Sequence, residues 1–270
     1  MADMNPAYPG LAAAALYFIG AYLQIRNLAT KASRTDERVF YACVPALLLH
    51  GVTVYLVINQ GMGVDLGFYS VLSAIALVLT AFVASMCLWQ PLNNLLLIIL
   101  PFAGLAVIGS LAYPGAPIPK TTFSAGLLTH VLISIAAYTV LAAAACQSVV
   151  LAVQERSLRQ HTSIGILRLL PPLQTMEALL FQYVWLGLVL LTLSIGSGFL
   201  FLDDMFAQRV VHHTVLASAS WLIFATLLLG HTVFGWRGAT ASRWTLVGFG
   251  LLLLAYLGSK FVLEIILGQT

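Results

Sequence analysis

The chain contains eight long apolar segments, and they constrain its fold more than any other feature. The segments lie at about 8–28, 39–59, 66–88, 93–111, 123–151, 177–202, 211–234 and 244–267. A helix of about 20 consecutive apolar residues spans the hydrocarbon core of a bilayer. Charged residues make up 8% of the chain, whereas a soluble domain contains about 25%. We therefore predict an all-α, polytopic membrane protein, a bundle of about eight transmembrane helices in which residues 1–270 form a single transmembrane domain.

The basic residues indicate how these segments are oriented, because Lys and Arg accumulate in cytoplasmic loops. If the N-terminus lies outside the cytoplasm, most of the basic residues face the cytoplasm, namely Arg26, Lys31, Arg34, Arg38, Arg156, Arg159, Arg168, Arg237 and Arg243. Only Lys120, Arg209 and Lys260 then lie toward the outer side. An even number of spans returns the chain to the side on which it began. We therefore predict an N-out, C-out protein of the bacterial inner membrane.

The longest break between apolar segments covers residues 152–176 and is the only sizeable cytoplasmic loop in this arrangement. Its charged first half is expected to continue the fifth helix beyond the membrane. Pro171 and Pro172 are expected to begin the sixth helix, because proline is favoured in the first turn of a helix.

Five histidines lie in or at the ends of the apolar segments, where a polar side chain is costly and therefore indicates a functional site. His50 lies about halfway along the second segment, and His231 lies near the cytoplasmic end of the seventh. His130 lies about two turns into the fifth segment from the outer side, and His212 and His213 open the seventh. The histidines thus form two layers, His50 with His231 toward the cytoplasm and His130 with His212 or His213 near the outer surface.

These layers have two interpretations. Neutral imidazole is a good axial ligand for haem iron, and haem is a flat, mostly apolar molecule that fits between helices. His50 and His231 are therefore candidate axial ligands of a non-covalently bound haem b, and the three outer histidines are further candidates for cofactor binding. The alternative for each histidine is an ordinary hydrogen bond between helices. A zinc site is less favoured, because no cluster of Cys, His and carboxylates has ligand spacing.

Several functional classes lack the motifs that they require. Cys43, Cys87 and Cys146 show no CxxC or CxxCH spacing, which argues against a disulfide or a covalently attached haem. The sequence contains no Walker motif, nucleophile elbow or HExxH motif, so it does not indicate a hydrolase or a nucleotide enzyme. The net charge of +3 does not indicate a nucleic-acid partner, because the basic residues lie in short loops between apolar segments.

Five stretches carry a family resemblance: HVLISIAAY, LLPPLQTME, LLTLSIGSGF, TVLASASWLIFATLLLGHTVFGWRG and VGFGLLLLAYLGSKFV. Together they resemble the cytochrome c assembly membrane proteins of the CcsA/HemX superfamily, and most closely its YpjD-like branch of bacterial inner-membrane proteins. The resemblance implies a protein that handles haem. It implies that His231 matches the intramembrane histidine before the cytoplasmic GWRG-type loop, that His50 is its partner, and that His130 matches the first outer histidine.

The chain also departs from the pattern of the superfamily. The Trp-rich WWD loop, which presents haem for attachment to apocytochrome c, belongs between the sixth and seventh helices. This chain has DDMFAQRVVHH there, which is short and lacks tryptophan. The second outer histidine belongs near the end of the last helix, where KFVLEIILGQT has none, although His212 or His213 could replace it. We therefore expect a haem-binding or haem-handling protein rather than a complete haem lyase.

Two other functions fit the same pattern. Eight apolar helices with few fixed charges also suit a permease or an accessory subunit of a transport system. A scaffold for a membrane enzyme that makes or uses tetrapyrroles is the other alternative, with the basic loop at 152–176 as its docking surface. The expected partners are haem, the lipid bilayer and another membrane protein of haem or cytochrome assembly.

Overall fold

The computed structural model describes residues 5–29, 37–60, 63–88, 95–119, 124–160, 171–201 and 211–258. Eight helices follow one another in these residues in the predicted order, so the predicted all-α membrane fold is confirmed. They are α1 (Ala7–Ala29), α2 (Glu37–Ile58), α3 (Phe68–Met86), α4 (Leu96–Ala112), α5 (Ala125–Arg159), α6 (Leu173–Phe201), α7 (Val211–Phe234) and α8 (Gly238–Leu253).

Seven of the helices in the described residues are long and apolar enough to cross a membrane, and α4 is a shorter apolar helix of 17 residues. The last helix differs from the prediction at its start, because α8 begins at Gly238 rather than near residue 244. It continues as a π-helical turn over Leu254–Gly258. The predicted end of this span, near residue 267, lies outside the described residues, and the N-out, C-out orientation stays a prediction.

The helices form two compact units of four helices each. In the first unit, α1 packs against α2 and α4, and α3 also packs against both. In the second unit, α5 packs against α6 and α8, and α7 also packs against both. Each unit is therefore a closed ring of four helices with the same order of neighbours. The prediction of a single transmembrane domain is neither supported nor contradicted by this division.

A short antiparallel sheet, which the sequence did not predict, joins two loops of the first unit. Its strands are β1 (Asn59–Gln60), β2 (Gly63–Asp65) and β3 (Pro117–Pro119), in the order β1-β2-β3. The strands have only two or three residues each, which is too short for an alternating pattern. Prolines can occupy β3 because it is an edge strand, where an amide hydrogen is not needed on the outer side.

A buried carboxylate holds these loops together. The Asp65 side chain is fully buried and accepts hydrogen bonds from Gly67 N (2.7 Å), Ser70 Oγ (2.8 Å) and Gly115 N (2.9 Å). The two glycines are required for this approach, because a Cβ at Gly67 or Gly115 would collide with the Asp65 carboxylate or with the neighbouring glycine backbone. Asp65 therefore joins the end of β2, the start of α3 and the loop before β3.

The fifth helix is longer than a membrane span requires, as the sequence predicts. Its 35 residues give a length of about 50 Å, whereas the hydrocarbon core is about 30 Å thick. Ser124 caps its start by accepting a hydrogen bond from Leu127 N at 3.1 Å. Its last turn contains Arg156 and Arg159, as the prediction for the charged half of the long loop requires. The sixth helix begins directly after Pro171 and Pro172, which confirms the other half of that prediction.

Polar side chains join the helices of the second unit. Gln147 Nε2 of α5 donates to Met176 O of α6 at 3.1 Å, and Gln154 Nε2 donates to Pro171 O at 2.9 Å. Tyr138 Oη of α5 donates to Leu252 O of α8 at 2.7 Å. Lipid does not drive helices together as water does, so such bonds and close packing carry the association.

The Asp65 carboxylate gives a stability prediction for the first unit. Asp65→Ala should lower the free energy of unfolding by about 2–4 kcal/mol, because three donors lose a buried acceptor. Unfolding of the detergent-purified protein by SDS, followed by circular dichroism, measures this change. Ser70→Ala is the control, since it removes one donor and leaves the carboxylate bonded to two amides, and it should cost at most about 1 kcal/mol. Equal stability of Asp65→Ala and wild type would contradict the assignment.

Candidate functional site

His231 lies in the last turn of α7, and one of its ring nitrogens is fixed by the backbone. Its Nδ1 lies 2.9 Å from the carbonyl oxygen of Trp236. A carbonyl only accepts, so Nδ1 carries the proton and donates it to Trp236 O. The other nitrogen, Nε2, then carries the lone pair, and the described residues give it no partner. A histidine with one nitrogen anchored to a carbonyl and the other bare is in the form that binds a metal.

The turn after α7 produces this arrangement. Gly235 has φ +66°, so the chain reverses there, and its amide donates to His231 O at 3.2 Å. The amide of Trp236 donates back to Gly230 O at 3.1 Å, while its carbonyl accepts from the His231 ring. The Trp236 ring covers Gly230 so closely that a Cβ at Gly230 would overlap it. The GHTVFGWRG stretch is therefore a local unit that orients His231.

His231 lines a groove of about 750 Å³ in the second unit. This volume lies in the range of ordinary ligand pockets, about 300–1,000 Å³. The other lining residues are Gln174, Glu177, Ala178, Phe181, Gln182, Trp185, Leu186 and Arg237. The Phe181 ring stacks on the His231 ring, with ring centroids 3.5 Å apart and an interplanar angle of 18°. The groove thus combines an aromatic, apolar wall with a polar rim.

The rim of the groove is built from the residues at the start of α8 and from the first turns of α6. Gly238, with φ +54°, donates its amide to Glu177 Oε1 at 3.3 Å. Glu177 thereby stabilises the start of α8, where the helix dipole favours an acid. Arg237 occupies the N-cap position of α8, and its side chain is exposed at the groove. The rim therefore contains the Arg237 guanidinium group and the Glu177 carboxylate, which already accepts a hydrogen bond from Gly238 N.

His50 lies in α2 of the first unit and is fully buried. Both of its ring nitrogens have partners: Tyr17 Oη of α1 lies 3.1 Å from Nδ1, and Ser73 Oγ of α3 lies 2.9 Å from Nε2. This is the hydrogen-bonded alternative that the sequence left open. His50 and His231 belong to different units, and their pairing as axial ligands stays a prediction.

His130 and His213, two of the outer-layer candidates, line one small cavity in the second unit. Its volume is about 40 Å³. His130 Nδ1 lies 3.0 Å from both Ser194 O and Ser197 Oγ. The side chain of His212 lies outside the described part of the structure. The assignment of these three histidines to cofactor binding stays a prediction.

The sequence predicted the histidines but not the residues around them. Phe181 and Trp185 lie on α6, and each is indistinguishable from a lipid-facing aromatic in the sequence alone. Arg237 was counted only for topology, although it directly follows the turn that holds His231. The sequence did offer one indication that Arg237 lies near His231, namely its position directly after Trp236. The chain turns back at this point, and Trp236 O reaches the His231 ring.

Comparison with known proteins gives one family and a small set of relatives. A family model described as "Cytochrome C assembly protein" matches residues 38–267. The inner membrane protein YpjD of Escherichia coli K12 is 26% identical over 258 residues, which cover 95% of this chain and 98% of the relative. An uncharacterised 28.8 kDa protein of Azospirillum brasilense is 33% identical over 141 residues, or 52% of each chain. No solved structure matches the chain.

The turn at Gly235 gives a prediction about how His231 is held. Gly235→Ala should destabilise the protein by about 1–2 kcal/mol, because a residue with a Cβ resists a positive φ. Gly196→Ala is the matched control, since Gly196 lies inside α6 with open space where a Cβ would stand, and its replacement should be neutral or slightly stabilising. Thermal unfolding in one detergent compares the two variants. A larger loss in Gly196→Ala than in Gly235→Ala would contradict the role given to the turn.

Proposed function

The chain belongs to the cytochrome c assembly protein family, and from this premise we propose that it binds haem b non-covalently in the groove beside His231. It is a multi-pass membrane protein whose described residues contain seven helices that can span a bilayer, and its relative in Escherichia coli is named an inner membrane protein. Family membership supports a haem-related role. The geometry of the groove supports this location for the ligand.

The observation that carries the proposal is the bare Nε2 of His231. Neutral imidazole is a common axial ligand of haem iron. Trp236 O holds the proton on Nδ1 at 2.9 Å, which leaves the lone pair on the nitrogen that faces away from this bond. The stacked Phe181 ring fixes the plane of the imidazole. The tautomer and the orientation of the His231 ring are thus fixed before haem binds, which lowers the entropic cost of binding.

The walls of the groove also suit a flat molecule with an apolar face and acidic groups. Phe181, Trp185 and Leu186 supply aromatic and apolar surface. Arg237 supplies a guanidinium group at the rim, and guanidinium pairs well with the carboxylates that haem carries as its propionates. When bound, haem would supply iron for ligation by His231, and the residues of the chain would bind, orient and shield it.

We propose haem handling rather than haem attachment as the role of this site. The stretch from Asp203 to His213 contains no tryptophan. A Trp-rich loop is the feature that attachment needs in the superfamily. The chain therefore holds haem for another protein, and that partner would be a second membrane protein of haem or cytochrome assembly.

Absorption spectroscopy tests the proposal. Protein purified after expression with ample haem should show a Soret band and a pyridine haemochrome, and His231→Ala should lose most of both. Thr232→Ala is the matched control, since its hydroxyl bonds only within α7, to Leu228 O and Leu229 O at 3.1 Å, and it should retain the haem. A wild-type protein with no Soret band that also takes up no added haemin would overturn the proposal. Retention of haem by His231→Ala would overturn the site.

The same assay tests the predicted partnership of His50. A loss of the Soret band in His50→Ala that equals the loss in His231→Ala would support bis-histidine ligation. If Tyr17→Phe and Ser73→Ala keep the band and His50→Ala also keeps it, His50 is a hydrogen-bonding residue of the first unit and not a ligand.

Arg237 gives a separate prediction about recognition of the haem carboxylates. Arg237→Gln should weaken haemin binding about 3- to 10-fold, because the lost pair is charge-assisted but exposed. Haemin dimethyl ester, which has no free carboxylates, should bind wild type and Arg237→Gln equally. The control is Arg243→Gln, an exposed arginine of α8 that does not line the groove. The prediction is wrong if the ester loses as much affinity as haemin does in Arg237→Gln.

A further inference from the structure

A cleft of about 220 Å³ lies in the second unit, between the last turns of α5 and the start of α8. It is separate from the groove beside His231, because the two have no lining residue in common. The lining residues of the cleft are Ala152, Glu155, Arg156, Arg159, Gln160 and Ala239. Two of these side chains are guanidinium groups and one is a carboxylate, so the cleft has a net positive charge.

The carboxylate of the cleft is already engaged within the protein. Glu155 Oε1 accepts a hydrogen bond from Arg159 Nη2 at 2.7 Å, and its Oε2 is buried, only 2.9 Å from where a Cβ at Gly238 would stand. The side chain of Arg159 is still 75% exposed, and this bond uses one of the five N–H donors of its guanidinium group. Arg156 is exposed and has no ion pair with any described residue. The cleft therefore contains guanidinium donors that the protein does not use.

The start of α8 adds partial positive charge to that of the two arginines. The first amides of a helix have no acceptor within the helix, and the helix dipole is positive at this end. Arg237, at the N-cap position, provides no side-chain hydrogen bond to these amides. The amide of Gly238 donates to Glu177, and Ala239, the next residue, lines the cleft. Both helices that form the cleft therefore favour an anionic ligand.

Exposed apolar side chains of α5 adjoin this basic cleft. Val153 and Val149 precede Arg156 by three and seven residues, a spacing that places all three on one face of the helix. The two valines are 49% and 39% exposed, respectively. A ligand that fills the cleft and also covers this face has a charged head and an apolar tail.

The length of α5 is consistent with a cleft at the level of the lipid headgroups. A bilayer with its headgroups is about 40–45 Å thick, and the 35 residues of α5 span about 50 Å. If Ser124 and the first turn of α5 lie in one headgroup layer, Arg156 and Arg159 lie in or just beyond the other. Val149 and Val153 then face the acyl chains.

We propose that the cleft binds the phosphate headgroup of an anionic phospholipid, whose acyl chains lie along Val149 and Val153. Guanidinium groups match the geometry of phosphate oxygens and form charge-assisted hydrogen bonds with them, so Arg156 and Arg159 hold the headgroup. Basic pockets between transmembrane helices bind the headgroups of anionic lipids in this way. A free phosphate ion would use the same donors but would gain nothing from the apolar face of α5.

Binding of defined lipids to the full-length, delipidated protein in detergent tests the site. Native mass spectrometry compares phosphatidylglycerol with phosphatidylcholine of the same acyl chains and counts the lipids bound to each chain. Wild type should bind phosphatidylglycerol more tightly than phosphatidylcholine. Arg156→Gln and Arg159→Gln should each weaken phosphatidylglycerol binding about 5-fold, which is the contribution of one basic side chain near a membrane surface. Glycerol phosphate, which has the head but no acyl chains, should not displace the lipid at equal concentration.

Two controls separate this site from general charge effects and from the haem groove. Arg243→Gln removes an exposed arginine of α8 that does not line the cleft, and it should bind phosphatidylglycerol as wild type does. His231→Ala should also bind the lipid normally, so the lipid site and the haem site succeed or fail separately.

Three results would overturn the proposal. Equal binding of the two lipids by wild type would show that the cleft does not select an anionic headgroup. Displacement of the lipid by glycerol phosphate would assign the cleft to a soluble anion. Normal phosphatidylglycerol binding by both arginine variants would exclude the cleft as the lipid site, and release of a co-purifying protein by the same variants would assign it to a protein partner.

Discussion

The hydrocarbon interior of a bilayer offers no hydrogen bonds, so each polar group within it has to find its partner in the protein. This constraint acts on the polar side chains that lie within the spans. It explains why Gln147 of α5 bonds a carbonyl of α6 and why Tyr138 bonds a carbonyl of α8. A histidine ring nitrogen without a partner in the protein therefore costs free energy, and a bound ligand would remove that cost.

The three histidines with well-defined partners illustrate how this constraint separates packing from binding. His50 has hydroxyl groups on both nitrogens, and hydroxyls can donate or accept, so either tautomer of its ring is satisfied. His130 and His231 each have one nitrogen on a carbonyl, and a carbonyl fixes the tautomer. The difference lies in the partner rather than in the burial of the ring. In the part of the chain that the structure describes, the two histidines with a carbonyl partner both lie in the second unit.

Much of the fold was predictable from the sequence, because apolar length and proline positions act locally. The spans of α1 to α7 agree with the predicted segments, and Pro171 and Pro172 precede α6 as expected. The start of α8 at Gly238 was missed, since Thr240 and Arg243 make that stretch look like a loop. The small sheet was missed because strands of two or three residues have no periodicity. The partners of His50 and His231 were not predictable, because tautomers depend on contacts that only the packed helices define.

Each unit closes its own ring of four helices, and this has a consequence for biosynthesis. Among the described residues, the helices against which α1, α2 and α3 mainly pack are present once α4 has been made, so the first ring can close before α5 leaves the ribosome. The insertion machinery then receives the second half of the chain after the first half has packed. The four helices that carry the groove beside His231 are thus the last to assemble, and the rim of the groove is complete only when α8 has been made.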